Sequence, residues 1–227
     1  MCRSRRFLGI ALAIFALAGG GCSSSPGSPS LFVLGPRPSA KAPVADSPQS
    51  LLRLFEWSYV NRDVGHYRML FTDDFRFVFS ALDPSGNAYR DSWTREQELE
   101  YFTHLVSGGG ANPPVTSITL LLDRNFQVSE DPRRPGPWHR LIRTSVTLKV
   151  VGSTEVEISG FANFVFTRGD SAQIPDDLAA QGVRPDSTRW FIDRWEDDTF
   201  QAAGLRTMPT MKFTWGALKV LYLAAGS

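Results

Sequence analysis

The chain has 227 residues, of which 42% are hydrophobic and 21% are charged, and its formal net charge is +1. This composition is typical of a globular protein and excludes a disordered, collagen-like or multi-span membrane chain. A chain so close to neutrality lacks the excess of basic residues that a phosphate backbone attracts, so we expect no nucleic-acid partner. The two cysteines are Cys2 and Cys22. Disulfides, cysteine-rich metal centres and cysteine nucleophiles are therefore excluded from all later residues.

Residues 1–21 have the pattern of a secretory signal peptide. Three arginines and no acid precede a twelve-residue apolar run, Phe7–Ala18, which is followed by three glycines. Basic, apolar and then small residues, in that order, are typical of an export signal. Twelve residues are too few to cross a bilayer as a helix, which takes about 20. Cleavage would leave 21 bases against 23 acids, a net charge of −2.

The end of this leader resembles the lipobox of bacterial lipoproteins. Small residues precede Cys22, and Ser23-Ser24-Ser25 follows it. The resemblance implies that Cys22 is acylated, becomes the first residue of the mature protein and anchors it to a lipid bilayer. The pattern departs from the family at Gly19, where lipoproteins prefer leucine. Cleavage without acylation, leaving a free thiol, is the alternative.

Residues 22–46 are predicted to be a tether between the anchor and a folded domain. Five prolines stand there among serines, glycines and alanines, a composition that favours neither helix nor sheet. We expect the domain itself over residues 47–198 and a C-terminal extension with a short helix over residues 199–227.

Three helices are predicted at the start of the domain. Ser47-Pro48 has the form of a helix N-terminus, and apolar residues follow at helical spacing from Leu51. A second, short helix is expected from Gly65 to Phe71. Thr94-Arg95-Glu96-Gln97 has the form of a capping box and begins a helix that runs to about Val106.

The remainder is predicted to be an antiparallel sheet with one face on the core. Apolar and polar residues alternate over residues 75–79, 118–123, 142–150 and 155–166. A last strand is expected over 189–196, after a polar insertion with a short helix near 177–181, and Asp197-Asp198 is interpreted as a solvated turn. A terminal helix over 213–222 is predicted to pack on the body.

The register of one hairpin can be predicted from its side chains. A two-residue turn at Gly152-Ser153 would place Leu148 opposite Glu157 and mix the two faces of the sheet. A three-residue connection, Val151-Gly152-Ser153, keeps apolar residues on one face. It would pair Leu148 with Val156, Val146 with Ile158 and Lys149 with Glu155.

This order of elements resembles the superfamily of nuclear transport factor 2, ketosteroid isomerase and the SnoaL-like proteins. The resemblance rests on Asp63-Val64-Gly65 between two helices, Thr72-Asp73-Asp74-Phe75 at the first strand, and the closing Trp190-x-Ile192-x-x-Trp195. It implies an α+β fold in which three N-terminal helices pack on a strongly curved antiparallel sheet, the cystatin-like cone. It also implies a conical pocket, and in many members a homodimer.

The resemblance does not carry the isomerase chemistry with it. In ketosteroid isomerases a carboxylate on the first strand moves the proton, and that position falls on Phe79, which cannot accept one. The tyrosine of the first helix falls on Ser58, with Tyr59 beside it. Fold alone does not decide function.

Five residues are candidates for lining the pocket: Trp57, Tyr59, His104, Asp193 and Trp195. A carboxylate at Asp193, among aromatic residues, would have a raised pKa if buried, as a general acid requires. An ion pair with Arg189 or Arg194 is the alternative. His104 follows Glu100 by one helical turn, and a surface interaction is the ordinary role of such a pair. We predict no metal site, no cofactor and no catalytic constellation.

The sequence therefore predicts a lipid-anchored protein of the bacterial cell envelope, facing the periplasm or the exterior. Its domain is expected to bind a small apolar ligand or a protein partner without catalysis. One alternative is an isomerase, dehydratase or hydrolase that uses Asp193 or His104 with Tyr59. Another is a structural envelope protein whose cavity is filled by aromatic side chains.

Overall fold

A computed structural model describes residues 41–81, 83, 92–109, 112–169, 174–184, 186–200 and 214–223, with only the backbone of 186, 187 and 200. The predicted signal peptide, Cys22 and most of the tether lie outside these residues. Residues 41–46, the last of the predicted tether, contact the domain, because the Ala45 carbonyl accepts a hydrogen bond from the Trp190 N–H at 3.1 Å. Among the described residues, no helix combines the length and the hydropathy that crossing a membrane would need.

Three helices open the domain: α1 (Pro48–Asn61), α2 (Val64–Arg68) and α3 (Arg95–Ser107). Ser47 and Ser50 cap α1 reciprocally, each backbone N–H donating to the other side chain at 2.9 and 3.1 Å. The predicted capping contact of α3 is present, since the Thr94 N–H donates to Gln97 Oε1 at 2.8 Å. These local hydrogen bonds satisfy backbone groups that a helix leaves unpaired at its N-terminus.

In the part of the chain that the structure describes, seven strands form one curled sheet. The strands are β1 (Phe71–Val78), β2 (Ser92–Thr94), β3 (Ser117–Leu122), β4 (Val128–Glu130), β5 (His139–Val151), β6 (Glu155–Gly169) and β7 (Asp186–Phe200). Their order is β2-β1-β7-β6-β5-β3, with β4 beside β5. The described residues also include two short helices, α4 (Asp176–Ala180) and α5 (Trp215–Leu223). The predicted α+β class is confirmed.

The sheet is mixed, not wholly antiparallel as predicted. β1 runs parallel to β7, and every other pair among the described strands is antiparallel. The second helix was predicted to end at Phe71, but Phe71 is the first residue of β1. Phe71 lies opposite Ile192, and the Leu70 carbonyl accepts a hydrogen bond from the Ile192 N–H at 2.7 Å. A partner 121 residues away along the chain leaves no local signal, so neither the parallel pairing nor the start of β1 follows from periodicity.

The predicted hairpin register is wrong by two residues, although the faces are right. Leu148 lies opposite Ile158 and Lys149 opposite Glu157, and the connection is Gly152-Ser153-Thr154. A shift of two leaves every side chain on its predicted face, because the side-chain period of a strand is also two. Alternation alone therefore cannot distinguish the two registers. The ion pair between Lys149 and Glu155 is nevertheless present at 2.8 Å, formed diagonally across the strands.

The last helix belongs to the core. Trp215 and Lys219 are completely buried, and the backbone at the start of α5 is held by β7. The Trp215 N–H donates to Thr199 Oγ1 and the Gly216 N–H to Asp197 Oδ2, both at 2.9 Å. Residues 199–227, described from the sequence as an extension, thus include a helix that fills the interior of the curled sheet.

Candidate functional site

An aromatic shell occupies the interior between the helices and the sheet. Trp195 of β7 packs edge-on against Phe55 of α1 at 5.2 Å and against Trp215 of α5 at 4.4 Å between ring centroids. Tyr59 of α1 contacts the same Trp215 ring at 5.5 Å. Two of the predicted pocket residues, Tyr59 and Trp195, therefore meet in the interior, but they meet as fully buried parts of the core.

A buried ion pair stands at the centre of this shell. Glu98 of α3 and Lys219 of α5 are both inaccessible to solvent, and the ammonium donates to Glu98 Oε2. The same oxygen accepts from Trp93 Nε1 at 3.0 Å, and Oε1 accepts from the Tyr67 hydroxyl. Removal from water is the main reason why the pKa of Lys219 is lowered to about 8, while the Glu98 charge opposes the shift.

Three tyrosines around the pair remain protonated. The Tyr59 hydroxyl donates to the Tyr101 hydroxyl at 3.4 Å and accepts from Trp215 Nε1 at 3.2 Å. The pKa values of Tyr59, Tyr67 and Tyr101 are all raised. Burial is the main cause, and the negative charge of Glu98 adds to it. These hydroxyls act as neutral hydrogen-bonding groups, not as bases.

Asp197 of β7 is buried beside the N-terminus of α5. Its carboxylate accepts from the Thr199 N–H at 3.0 Å, from Thr199 Oγ1 at 2.6 Å and from the Gly216 N–H. Desolvation outweighs these hydrogen bonds and raises its pKa to about 6. The interpretation of Asp197-Asp198 as a solvated turn is wrong for Asp197, because β7 extends to Phe200 and turns this side chain inward.

Asp197 gives the fold a specific pH dependence. Its pKa in the folded protein, about 6, lies above the unfolded value, so between about pH 4 and 6 the folded state holds more protons than the unfolded state. The contribution of Asp197 to the free energy of unfolding is therefore largest below about pH 4 and falls as the pH rises through 6. We expect Asp197→Asn to abolish this fall, measured by urea denaturation at intervals from pH 4 to 7. Asp198→Asn, at a neighbouring side chain that is 57% exposed, should retain it; equal slopes for Asp197→Asn and the unsubstituted chain would contradict the assignment.

Asp193 lies away from this centre. It occupies a β-bulge of β7, because Arg194 pairs with Val165 while Ile192 pairs with Phe166. Both carboxylate oxygens accept from the guanidinium of Arg134, in the segment between β4 and β5. The predicted ion pair is present, but its partner is Arg134, since the bulge turns Asp193 toward a segment that is distant in sequence.

His104 and Trp57 are both half-buried, and Trp57 packs against the core. His104 Nδ1 is 3.0 Å from the Tyr222 carbonyl of α5, and the residue lines a cleft of about 510 Å³ with Arg68, Arg95, Asp73 and Asp177. Trp57 packs edge-on against His66 at 5.1 Å. Tyr59, Asp193 and His104 therefore have separate partners, and the arrangement predicted for an enzyme is not assembled. Among the described residues, no cluster of three His, Cys, Asp or Glu side chains could hold a metal ion.

Sequence reasoning missed Glu98 and Lys219, the two charged residues of the centre. The sequence carried a signal for each. Glu98 stands three and four residues before the buried Tyr101 and Phe102, on the apolar side of α3. Lys219 is the one charged residue in the apolar segment Trp215–Leu223. A charge on a face that must be buried indicates a partner in the interior.

Three N-terminal helices that pack on one curled sheet, with β1 beside β7, agree with the α+β architecture that the resemblance to nuclear transport factor 2-like proteins implies. No protein-family model and no curated protein matches the chain.

Solved structures that resemble the chain include a conserved protein from Planctomyces limnophilus, which is 14% identical in sequence. The match covers 68% of this chain and 94% of the other and has a TM-score of 0.46. A nuclear transport factor 2-like protein from Salmonella enterica has 14% identity, coverages of 70% and 92%, and a TM-score of 0.43. A putative scytalone dehydratase from Novosphingobium aromaticivorans has 9% identity, coverages of 72% and 90%, and a TM-score of 0.44. At this similarity, neither a ligand nor a reaction is transferred from them.

Proposed function

We propose that this nuclear transport factor 2-like chain is a lipid-anchored protein of the bacterial cell envelope whose domain binds a ligand and catalyses no reaction. The observation that supports a non-catalytic domain is the Glu98–Lys219 pair. Both carboxylate oxygens accept hydrogen bonds, and the ammonium is held by the carboxylate. Glu98 and Lys219 therefore satisfy each other, and the nearby Asp197 carboxylate is held by Thr199 and Gly216, so none of these three described charged groups is left as a free acid or base.

Binding in the interior requires a change at α5. Trp215 and Lys219 fill the space that the resemblance predicted as a conical pocket. A small ligand, whether apolar or polar, would have to displace α5 to enter, whereas a protein partner would contact the outer surface.

A second candidate function is supported by the same packing. The interior is filled by Phe, Tyr and Trp side chains in mutual contact, as expected of a structural envelope protein with a permanently closed cavity. The two functions differ in one measurable respect: a ligand displaces α5 in the first and does not in the second.

The membrane anchor is testable on its own. We expect Cys22→Ala to move the exported protein from the membrane fraction to the soluble fraction and to abolish labelling by radioactive palmitate, because acylation of Cys22 is the proposed attachment. The measurement is immunoblotting of membrane and soluble fractions from cells that express the full chain.

The chain supplies a matched control in its second cysteine. Cys2 lies in the basic region of the predicted leader, so Cys2→Ala should leave the protein lipidated and in the membrane fraction. Membrane association and labelling that persist in Cys22→Ala would overturn the anchoring proposal.

A further inference from the structure

The ammonium of Lys219 is enclosed by aromatic rings. Its Nζ lies 3.6 Å from the centroid of the Trp195 ring and 3.8 Å from that of Phe77, with Tyr101 and Trp93 at 5.2 and 5.3 Å. Glu98 supplies the counter-charge. Aromatic faces around a cation, closed by a carboxylate, are the arrangement by which proteins recognise organic ammonium ligands. We call Phe77, Trp93, Glu98, Tyr101 and Trp195 the ammonium cage.

The cage is built without any residue of α5. Its members come from β1, β2, α3 and β7, and Glu98 is also held by hydrogen bonds from Trp93 and Tyr67. These contacts do not involve Lys219, so they fix the carboxylate whether or not the ammonium is present. A site that is formed before its ligand arrives binds at a smaller cost in entropy.

One wall of the cage carries an unused hydrogen-bond donor. Trp195 is completely buried, and within the described part of the chain its Nε1–H has no hydrogen-bond partner. Buried donors are nearly always paired in folded proteins. An unpaired one beside a bound cation is consistent with a site that accepts a ligand larger than the lysine now in it.

Burying the Lys219 ammonium in the cage carries a desolvation penalty. Burial lowers the pKa of Lys219 to about 8, and a buried ion pair often contributes little net stability compared with apolar residues of similar size. Lys219 is therefore poorly explained as a device for stability alone.

We propose that the ammonium cage is a binding site for small organic ammonium compounds, and that α5 is a plug whose Lys219 occupies the site until such a compound displaces it. This inference rests on the proposed binding function and names its ligand class. Hydrogen bonds from the start of α5 to Thr199 and Asp197 hold the plug to β7 while its Lys219 leaves the cage.

The test uses the detergent-purified full chain and n-propylammonium, which replaces the atoms that Lys219→Ala removes. By calorimetric titration, Lys219→Ala should bind n-propylammonium at least about 10-fold more tightly than the unsubstituted chain, in which the compound competes with Lys219. Propan-1-ol, of similar shape but uncharged, should not bind measurably. Lys149→Ala, at a partly exposed lysine that is also paired with a glutamate, should behave as the unsubstituted chain does.

Displacement has its own readout in the unsubstituted chain. Saturating n-propylammonium should increase amide hydrogen exchange in α5 and leave α1 unchanged. Unchanged exchange in α5 would overturn the plug, and equal binding of propan-1-ol and n-propylammonium would overturn the ammonium specificity. If Lys219→Ala does not fold, the exchange measurement still decides the proposal. None of these results depends on Cys22, so failure here and failure of the anchor are distinguishable.

Discussion

Glu98→Gln should lower the free energy of unfolding by about 3–5 kcal/mol, because it leaves the buried Lys219 ammonium without its counter-charge. Both side chains are inaccessible to solvent and in direct contact. Without Glu98, burial would depress the pKa of Lys219 further. Between that lower value and about pH 10 the folded state would then hold fewer protons than the unfolded state, so stability should rise with pH. The deficit of Glu98→Gln relative to the unsubstituted chain should therefore shrink from pH 7 to about 8 in urea denaturation and then level off, because above its own Lys219 pKa of about 8 the unsubstituted chain gains stability in the same way.

The double variant Glu98→Gln with Lys219→Met separates charge from packing. Methionine keeps most of the volume of the lysine stem and removes the charge, so the double variant should recover most of the lost stability. A single variant Glu98→Gln within about 1 kcal/mol of the unsubstituted chain at pH 7 would show that the pair is not buried as the structure has it.

Trp215→Ala should cost about 3–5 kcal/mol of unfolding free energy, because it removes a fully buried ring and leaves a cavity. The ring packs against Trp195 at 4.4 Å and against Phe55 at 6.1 Å, and its Nε1–H donates to Tyr59. A loss of near-ultraviolet circular dichroism should accompany the change. The loss of unfolding free energy is measured by chemical denaturation of the full chain.

Leu221→Ala is the matched control, since Leu221 lies on the same helix and is 41% exposed. It should change stability by no more than about 0.5 kcal/mol. If Trp215→Ala were as mild as Leu221→Ala, α5 would be a peripheral element and not part of the core.

Helices and strands were predictable where the signal is local. The caps at Ser47 and Thr94 rest on residues within one turn, and the alternation of the long strands reports which side faces the core. The α+β class and the short helix of the polar insertion followed from the same information. Local hydrogen bonding and the side-chain period depend on near neighbours in sequence. Both can therefore be predicted from one amino-acid sequence.

Of the charged and aromatic residues at the centre, the sequence analysis named Tyr59 and Trp195 and missed Glu98 and Lys219. Tyr59 and Trp195 were expected at the pocket and lie in the interior, whereas Asp193 and His104 were expected there and lie elsewhere. A β-bulge at Asp193 reverses the side to which its carboxylate points, and alternation cannot anticipate a bulge.

The sequence by itself determined the type of the long helices and strands, their buried faces and the aromatic character of the interior. Only the tertiary structure decided that β1 runs parallel to β7, that the hairpin pairs Leu148 with Ile158, and that α5 enters the interior. It also decided that Lys219 meets Glu98 across 121 positions of the chain. The physical reason is the same in each case: these contacts join residues whose proximity depends on how all the elements pack, and no local pattern of hydrogen bonding or hydrophobicity encodes them.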